Sequence, residues 1–486
     1  MKRNHLYVTL LVSSFIFFGC SGDNGINPPI PEEPNSDEDF VGIPLENTIG
    51  VLLNITDSYK GYTLFTIHKT TYLIDNCGQV VNKWISEYDR GGAFHLLEDG
   101  SLLRSGKIDN PDLPYGGIGG IIEKFDWDGN LTWQYTYSSS TYSQHHGLYP
   151  LPNGNILILA VHVMNESEAL KAGRNPENLS EGVLYNEAIL EIEPLGNNDG
   201  TIVWEWSAWD HFVQNFDNTK DNFGVVADNP QLLDINFLGT AEGNADWLHF
   251  NALSYNADLD QIILGSQKLS EIYILDHSVT TQEAKGGSGG NSGMGGDFLY
   301  RWGNPAAYGH GNVEDQQFFG QHNPHWISGN FPDGNKILVF NNGLGRDISY
   351  SSVEIIEPTM AGTYNYEYNL GEPYAPAQPE WSYTAPNDPT SFYSRILSSA
   401  QRLPNGNTLI CEGTSGTFFE INEADETVWK YINPVTSQGE VLTQGDDPIS
   451  NVFQVIRYDP EYPGLLGKDL NPSNPIEKGF NIGDCK

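Results

Sequence analysis

The sequence predicts an all-β fold, a six-bladed β-propeller of antiparallel four-stranded sheets with long inserted loops. A recurring two-part unit supports this prediction: an apolar strand ends on a tryptophan, and a polar turn then leads into another apolar strand. The tryptophans that end the first halves are Trp84, Trp133, Trp204, Trp302, Trp381 and Trp429. Since similar units of this kind arrange as rings of sheets, six units predict six blades.

The turns of the second halves are typical of tight hairpins. They occupy residues 98–101, 151–155, 258–261, 332–335 and 403–407, each ahead of a short apolar run. Asn-Gly and Asp-Gly tolerate the left-handed backbone that matches strand twist, so these strands should pair as antiparallel hairpins. A β-sandwich array is the competing architecture, because it also consists of short strands and turns. The six similar Trp-ended units favour the propeller.

Few helices are expected, and the connecting loops should be long. No stretch after residue 20 sustains a helical period with caps, so helices should be short. The tryptophans of the middle units lie farther apart than one compact blade requires, which indicates inserted loops. One such loop, residues 286–296 (GGSGGNSGMGG), has the composition of a flexible linker.

The first forty-eight residues predict export and a tether. Residues 1–20 combine a basic start with an apolar run too short to cross a membrane, which is typical of a signal peptide. The run ends in Phe-Phe-Gly-Cys, which resembles a lipoprotein cleavage box with Cys20 as the lipidated residue. Ordinary secretion, with Cys20 lost in the leader, is the alternative. Residues 21–48 are acidic and rich in Pro, and we expect a disordered tether before a propeller domain at 49–486.

Charge and cysteine content exclude several function classes. The chain has 24 basic and 63 acidic residues, a formal net charge of −39, which repels phosphate backbones and excludes nucleic-acid binding. Beyond Cys20 only Cys77, Cys411 and Cys485 remain, so at most one disulfide can form. Their scattered spacing indicates neither a disulfide framework nor a zinc site.

Histidines are the main candidates for chemistry. Six of them stand just before the hairpins, where each unit should enter its innermost strand: His95, His145, His146, His249, His322 and His325. In a propeller these side chains would converge on the central channel. A neutral imidazole serves as nucleophile, proton donor or metal ligand near physiological pH, whereas a single histidine is more often structural.

One arginine is a candidate for oxyanion binding. Arg346 follows the turn Asn341-Asn342-Gly343 in a chain with few cations, and a guanidinium donates bidentate hydrogen bonds to oxyanions. A salt bridge to one of the many carboxylates is an equally good interpretation. There is no P-loop, no G-x-S-x-G elbow and no H-E-x-x-H pair, so nucleotide-dependent transfer is disfavoured. The acidic turn Asp258-Leu259-Asp260 is a weak candidate for calcium.

Most of residues 50–470 resembles the bacterial aryl-sulfate sulfotransferases, the nucleotide-independent enzymes that move a sulfuryl group between phenols. The segments that carry the resemblance are GYTLFTIHKTTYLIDNCGQVVNKW, QHHGLYPLPNGNILILA, DWLHFNALSYNADLDQIILGSQKLSEIYILD, FGQHNPHWI, ILVFNNGLGR, SAQRLPNGNTLICEG and VFQVIRYDPEYPGL. The resemblance implies a six-bladed propeller and a two-step exchange through a channel histidine, with an aromatic sulfate as donor and a phenol as acceptor. It implies no metal and no diffusible cofactor.

The resemblance also assigns roles. His249 and His322 match the channel histidines of the family, and Arg346 matches its oxyanion arginine, so these three are the predicted catalytic residues. The sulfuryl-carrying histidine expected in the fifth blade is missing, because the segment there contains Gln401. His322 is therefore the predicted carrier, with His249 as acid, and His145 or His146 are the next candidates. The alternative is a non-catalytic propeller lipoprotein that binds a glycan or a phenolic ligand.

Overall fold

A computed structural model describes residues 47–483 and 485. The predicted signal segment with Cys20, and all of the tether except Asn47 and Thr48, lie outside the described residues. Within the described part, no helix is both long and apolar enough to cross a membrane.

The described chain is almost entirely β-strand. The first eight strands are β1 (Gly50–Asn54), β2 (Tyr62–Ile67), β3 (Thr70–Ile74), β4 (Val80–Ile85), β5 (Arg90–Leu96), β6 (Leu102–Lys107), β7 (Gly120–Phe125) and β8 (Leu131–Thr136). The next ten are β9 (Tyr142–Pro150), β10 (Ile156–Asn165), β11 (Val183–Leu195), β12 (Asp199–Ser207), β13 (Phe212–Val213), β14 (Leu233–Asp234), β15 (Phe250–Asn256), β16 (Gln261–Ser266), β17 (Glu271–Asp276) and β18 (Tyr300–Trp302). The last nine are β19 (His322–Trp326), β20 (Ile337–Asn341), β21 (Ser352–Ile356), β22 (Trp381–Tyr383), β23 (Ser399–Arg402), β24 (Thr408–Glu412), β25 (Thr417–Ile421), β26 (Thr427–Ile432) and β27 (Val455–Tyr458).

Helices are few and short, as predicted. Among the described residues one α-helix occurs, α1 (Glu166–Lys171), and a capping box between Asn165 and Glu168 starts it. Short 3-10 turns lie at Pro176–Asn178, Ala208–Asp210, Val226–Asp228, Glu283–Lys285, Pro305–Tyr308, Val313–Asp315, Pro389–Ser391 and Pro463–Leu465. Most of them lie in the long loops between strands.

The sheets have a propeller-like arrangement, which confirms the all-β prediction. Four antiparallel sheets stand apart, in the orders β27-β2-β3-β4, β15-β16-β17-β18, β19-β20-β21-β22 and β1-β26-β25-β24-β23. Strands β5 to β12 form one eight-stranded sheet, and β13 and β14 form a small parallel pair. The prediction of six separate four-stranded sheets is therefore not reproduced, because one parallel bridge between Gly92 and His146 joins β5 to β9.

The two ends of the described chain close the arrangement. The late strand β27 pairs with β2, and the first strand β1 pairs with the late strand β26. A disulfide between Cys77 and Cys485 adds a covalent link across 408 residues of sequence, while Cys411 is buried and free. The one disulfide that the sequence allows is thus formed by Cys77 and Cys485.

We call four strands paired in order from the innermost one a run, and all six repeat tryptophans lie on the fourth strand of a run, as the repeat pattern predicts. In the sheet of β23 to β26 a fifth strand, β1, pairs beyond β26. Five of them donate an indole N–H to a backbone carbonyl of the following run. These bonds join Trp84 to Asp126, Trp133 to Asp199, Trp204 to Val279, Trp302 to Pro376 and Trp429 to Asn76, at 2.7–2.9 Å. The ring of Trp381 instead packs beneath the guanidinium of Arg402, 4.9 Å away. The tryptophans therefore fasten each run to the next.

The predicted hairpins are confirmed. Each of the five turns joins the innermost strand of a run to its second strand, and all five pairs are antiparallel. The glycine-rich loop 286–296, by contrast, is not a simple linker. Its backbone donates hydrogen bonds to Asp276 and Ser278, and the carbonyl of Gly296 accepts the indole N–H of Trp206.

Candidate functional site

A central cavity of about 1200 Å³ lies between the innermost strands of the runs. Residues of all six innermost strands β5, β9, β15, β19, β23 and β27 line it. Its wall is partly aromatic, with Tyr149, Trp326, Phe453 and Tyr462 beside polar groups. A cavity with apolar walls and a few placed polar groups is the usual form of a small-molecule site.

Bulges at the start of the innermost strands place the histidines. The pairing of β9 with β10 shifts register between His145 and Leu148, and the backbone of His146 adopts a left-handed conformation (φ 39°). His249 just before β15 (φ 48°) and Asn323 in β19 (φ 55°) repeat this conformation. A bulge bends a strand and re-aims its side chains, so the innermost strands deviate at the same level of the channel.

His322 lies at the cavity wall with one nitrogen free. Its Nδ1 lies 2.7 Å from Oδ1 of Asn342 and 3.1 Å from the carbonyl oxygen of Gly320. Both partners are acceptors, so Nδ1 carries the hydrogen and Nε2 keeps a lone pair. Burial lowers the pKa of His322 to about 4, against the opposing effect of the hydrogen bond that Nδ1 donates to Asn342. The imidazole is therefore neutral at physiological pH and has an unprotonated Nε2.

His249 is paired with a carboxylate. Its Nδ1 lies 2.7 Å from Oδ2 of Asp246, three residues earlier. The carboxylate accepts the Nδ1 hydrogen and stabilises an imidazolium if Nε2 becomes protonated. The ring of Tyr115 stacks on His249, with centroids 5.3 Å apart and an interplanar angle of 15°. His249 is thus equipped for proton transfer at Nε2.

A buried chain of hydrogen bonds links Glu187, His145 and His146. Oε2 of Glu187 lies 2.9 Å from Nε2 of His145, and Nδ1 of His145 lies 3.0 Å from Nδ1 of His146. With Glu187 ionised, Nε2 of His145 carries a hydrogen, so in neutral rings Nδ1 of His146 donates to Nδ1 of His145. The Nε2 of His146 is then left with a lone pair.

The four histidines of this region form one cluster, which we call the neck cluster: His145, His146, His249 and His322. The pKa of His146 is held well below its usual range, first by burial and then by the nearby His249, His145 and His322. The rings of His146 and His249 lie 4.9 Å apart. The four rings are therefore close enough to influence one another's charge.

Three other predicted residues line the cavity outside the neck cluster. Nε2 of His95 lies 3.2 Å from the carbonyl oxygen of Leu148, and burial lowers the pKa of His95 to about 4. Nδ1 of His325 donates to the carbonyl oxygen of Asn323. The side-chain amide of Gln401 donates to the carbonyl oxygen of Arg457 at 2.9 Å and accepts the N–H of Arg457 at 2.7 Å.

Arg346 is not among the residues that line the cavity. Its guanidinium donates to the carbonyl oxygen of Tyr350 and to Oγ of Ser352, both at 3.0 Å, and lies 3.6 Å from Glu354. Burial lowers its pKa, while Glu354 raises it. The contacts of Arg346 are therefore those of a structural salt bridge to Glu354.

Sequence reasoning missed five residues of the site: Tyr115, Glu187, Asp246, Asn342 and Phe453. Asp246 could have been found from its position three residues before His249, and Tyr115 from the glycine run that follows it. Glu187 reaches the site from β11, Asn342 from the end of β20, and Phe453 from the segment before β27. Within residues 47–483 and 485, no set of three or more His, Cys, Asp or Glu side chains is arranged to hold a metal ion.

The fold and site define an all-β protein of propeller-like arrangement with a histidine cluster beside a central cavity. The chain belongs to the arylsulfotransferase (ASST) family, whose sequence profile matches residues 52–449. None of the curated proteins matches the chain.

Several solved structures are similar to this chain in outline, and three of them are as follows. A protein of unknown function from Bacteroides caccae is 10% identical (TM-score 0.42) and covers 82% of this chain and 99% of its own. The periplasmic gluconolactonase of Pseudomonas aeruginosa is 11% identical (TM-score 0.39; 82% and 99%). A catalytically inactive virginiamycin B lyase from Staphylococcus aureus with quinupristin is 9% identical (TM-score 0.35; 79% and 88%).

Proposed function

We propose that this protein transfers a sulfuryl group between phenolic compounds through a histidine, without a nucleotide donor. Membership of the arylsulfotransferase family supports the reaction class. The observation that carries the proposal is His322, a neutral imidazole whose Nδ1 is bound to Asn342 and whose Nε2 is unprotonated at the cavity wall. An imidazole in this state is a nucleophile.

The proposed exchange has two steps. In the first, Nε2 of His322 attacks the sulfur of an aryl sulfate, the N–S bond forms, and the S–O bond to the ring breaks. The electron pair of that bond leaves on the phenolate, which takes a proton from Nε2 of His249 in its imidazolium form. In the second, His249 removes the proton of a new phenol, whose oxygen attacks the sulfur and releases His322.

Asp246 and Arg346 assist in this proposal. Asp246 stabilises the imidazolium of His249 from 2.7 Å. Arg346 lies in the loop after β20, in the same sheet as His322, and is the candidate cation for the sulfuryl oxygens. To reach them its guanidinium exchanges the hydrogen bonds to Tyr350 and Ser352 for bonds to the substrate.

A second candidate function is ligand binding without turnover, for a glycan or a phenolic ligand. The observation that favours it is Gln401, which occupies the region where the resemblance places the sulfuryl-carrying histidine. Its amide is saturated by the backbone of Arg457 and cannot form a covalent adduct. On this reading the aromatic wall of the cavity alone holds the ligand.

We also propose that the sheets form six blades and that the protein is exported and lipid-anchored. In the eight-stranded sheet, β5 to β8 and β9 to β12 each carry a repeat tryptophan on the fourth strand counted from the innermost, as the separate sheets do. The anchor rests on Cys20 alone. Replacing it, Cys20→Ser, should move the protein from the membrane fraction to the soluble fraction, and unchanged partitioning would contradict lipidation.

A chromogenic aryl sulfate tests the reaction. Purified protein is incubated with nitrophenyl sulfate, with and without an added phenol. Release that depends on the acceptor supports transfer, and ligand protection against melting without turnover supports the binding function. His322→Asn should abolish acceptor-dependent transfer. His325→Asn, three residues along the same strand and also at the cavity wall, is the matched control and should retain it.

A further inference from the structure

The phenol ring of Tyr115 occupies an enclosed space beside the neck cluster. Tyr115 is 6% exposed, and its ring stacks on His249 at 5.3 Å. It also contacts the ring of His145 at 4.7 Å and that of Tyr185 at 5.9 Å. Its hydroxyl donates to Oε1 of Glu187 at 2.5 Å.

These surroundings are chemically complementary to a phenol. One flat face is bounded by an imidazole, the edges by further aromatic rings, and the hydroxyl meets a buried carboxylate. The same Oε1 of Glu187 also accepts the backbone N–H of Phe250 at 3.0 Å, which fixes its position. Sites that hydrogen-bond a hydroxyl in this way discriminate strongly against ligands that lack one.

Tyr115 belongs to a glycine-rich loop that covers two of the histidines. The loop, residues 108–119, joins β6 to β7. A Cβ at Gly117 would lie 2.1 Å from Nε2 of His146, and one at Gly116 would lie 2.8 Å from Cε1 of His249. The backbone therefore rests directly on both rings, and a side chain there would hold the loop away.

The loop is held to the neck cluster by few polar contacts. The N–H of His146 donates to the carbonyl oxygen of Gly117 at 3.0 Å, and that of Gly119 to the carbonyl oxygen of Gln144 at 3.0 Å. Leu113 and Tyr115 supply its buried apolar contacts. Withdrawal of this segment would uncover His146 and His249 and vacate the space of the phenol ring.

We propose that the space filled by Tyr115 is a second binding site for a phenol, the sulfuryl acceptor, and that the loop withdraws to admit it. This inference rests on the proposed function for the role of the phenol as acceptor. The acceptor then stacks on His249 and donates its hydroxyl to Glu187, as Tyr115 does. As its oxygen attacks the sulfuryl sulfur, the S–N bond to His322 breaks and its electron pair returns to Nε2. For an acceptor bound here, Glu187 takes the phenol proton in place of His249 and releases it to solvent, and His249 regains its proton from solvent before the next donor binds.

The chain Glu187–His145–His146 explains why a carboxylate is suited to this place. Nε2 of His145 already donates to the second oxygen of Glu187, which lowers the cost of burying the ionised carboxylate. Glu187 and His145 would therefore act as acceptor-binding and positioning residues, respectively. The donor sulfate would use the central cavity, where His322 is exposed to it.

Kinetics on two variants test the site. Tyr115→Ala removes the competing ring, so the KM for a small phenol acceptor should fall by about tenfold relative to the KM for the donor, as expected when a closed state that excludes the ligand is removed. Leu113→Ala removes similar packing from the same loop and should leave that ratio within about twofold. An equal change in both variants, or no fall in Tyr115→Ala, would overturn the proposal.

A binding measurement separates this proposal from the proposed function. Phenol alone is added to the wild-type protein, and amide hydrogen exchange is followed in residues 108–119. The proposal requires faster exchange there at saturating phenol, and phenol binding weakened by Glu187→Gln. Faster exchange without any turnover of aryl sulfates would refute the transfer function but keep the site. Turnover with unchanged exchange would refute the site but keep the function.

Discussion

Replacing Asp246 with asparagine should slow sulfuryl transfer only from aryl sulfates whose phenols are poor leaving groups. Asp246→Asn keeps an oxygen that accepts the Nδ1 hydrogen of His249 but removes the charge that stabilises the imidazolium. At an effective dielectric constant of about 20, two charges about 4 Å apart interact by about 4 kcal/mol. Both side chains are partly exposed, at 13% for His249 and 23% for Asp246. Solvent screening reduces the loss to about 3 kcal/mol, or about two orders of magnitude in rate.

The assay is a series of aryl sulfates whose leaving phenols differ in acidity. A nitrophenolate departs without protonation, so its release should change little in Asp246→Asn. An alkyl-substituted phenolate needs the acid and should be released about a hundredfold more slowly, within the range of general-acid catalysis. The slope of rate against leaving-group pKa should therefore steepen.

The matched control uses a second histidine–carboxylate pair away from the cavity. Oδ1 of Asp297 lies 2.8 Å from Nδ1 of His211, and both residues lie in the structure around the loop 286–296. Asp297→Asn should leave the slope unchanged. Equal slowing of both classes of leaving group by Asp246→Asn, or a steeper slope in the control, would refute the role given to His249.

Three further predictions concern pH and stability. Asn342→Asp places a carboxylate beside His322 and should raise the pKa of that imidazole. The acid limb of the pH–rate profile should then move from about pH 4 to a value about two pH units higher. An unchanged limb would contradict the tautomer assigned to His322. Burial of His277 opposes its charge, but hydrogen bonds to two carboxylates raise its pKa from 6.5 to about 9. The charged form therefore stabilises the fold by about 3 kcal/mol, fully below pH 6.5 and not at all once pH has risen through 9. Urea unfolding of His277→Gln should lack this pH dependence. Trp84→Phe removes the indole donor of the Asp126 carbonyl oxygen, which keeps only the N–H of Gly129, and should lower the unfolding free energy by about 1 kcal/mol. Trp127→Phe, whose indole makes no such bond within the described residues, should cost less, and equal losses would refute the fastening role.

The repeat pattern predicted the framework of the fold because its signals are local. A tryptophan such as Trp84 or Trp429 sits on the last strand of a run and reaches a fixed point of the next run, so each repeat preserves the same contact. The hairpin turns are local for the same reason, since Asn and Gly determine the turn within four residues. The number of separate sheets is not local, because one bridge at Gly92 and His146 merges two runs.

The candidate site was predictable in its histidines but not in their partners. His249 and His322 were identified from position and resemblance, and both lie in the neck cluster beside the cavity. Glu187 reaches His145 from β11, two strands away in the same sheet, and Asn342 reaches His322 from the end of β20, and neither contact has a signal in the adjacent sequence. For Arg346 the sequence allowed two partners, because a guanidinium can bind either an oxyanion or a carboxylate. The structure places it beside Glu354.

Transfer through a histidine can be tested by the mass of the protein after mixing with an aryl sulfate in the absence of acceptor. Attack by His322 should release one equivalent of phenol and add one SO₃ group, located on the peptide that contains His322. Addition of a phenol should remove that group and yield the new aryl sulfate. Release of phenol with no gain in mass, or a group that persists when acceptor is added, would contradict transfer through a histidine.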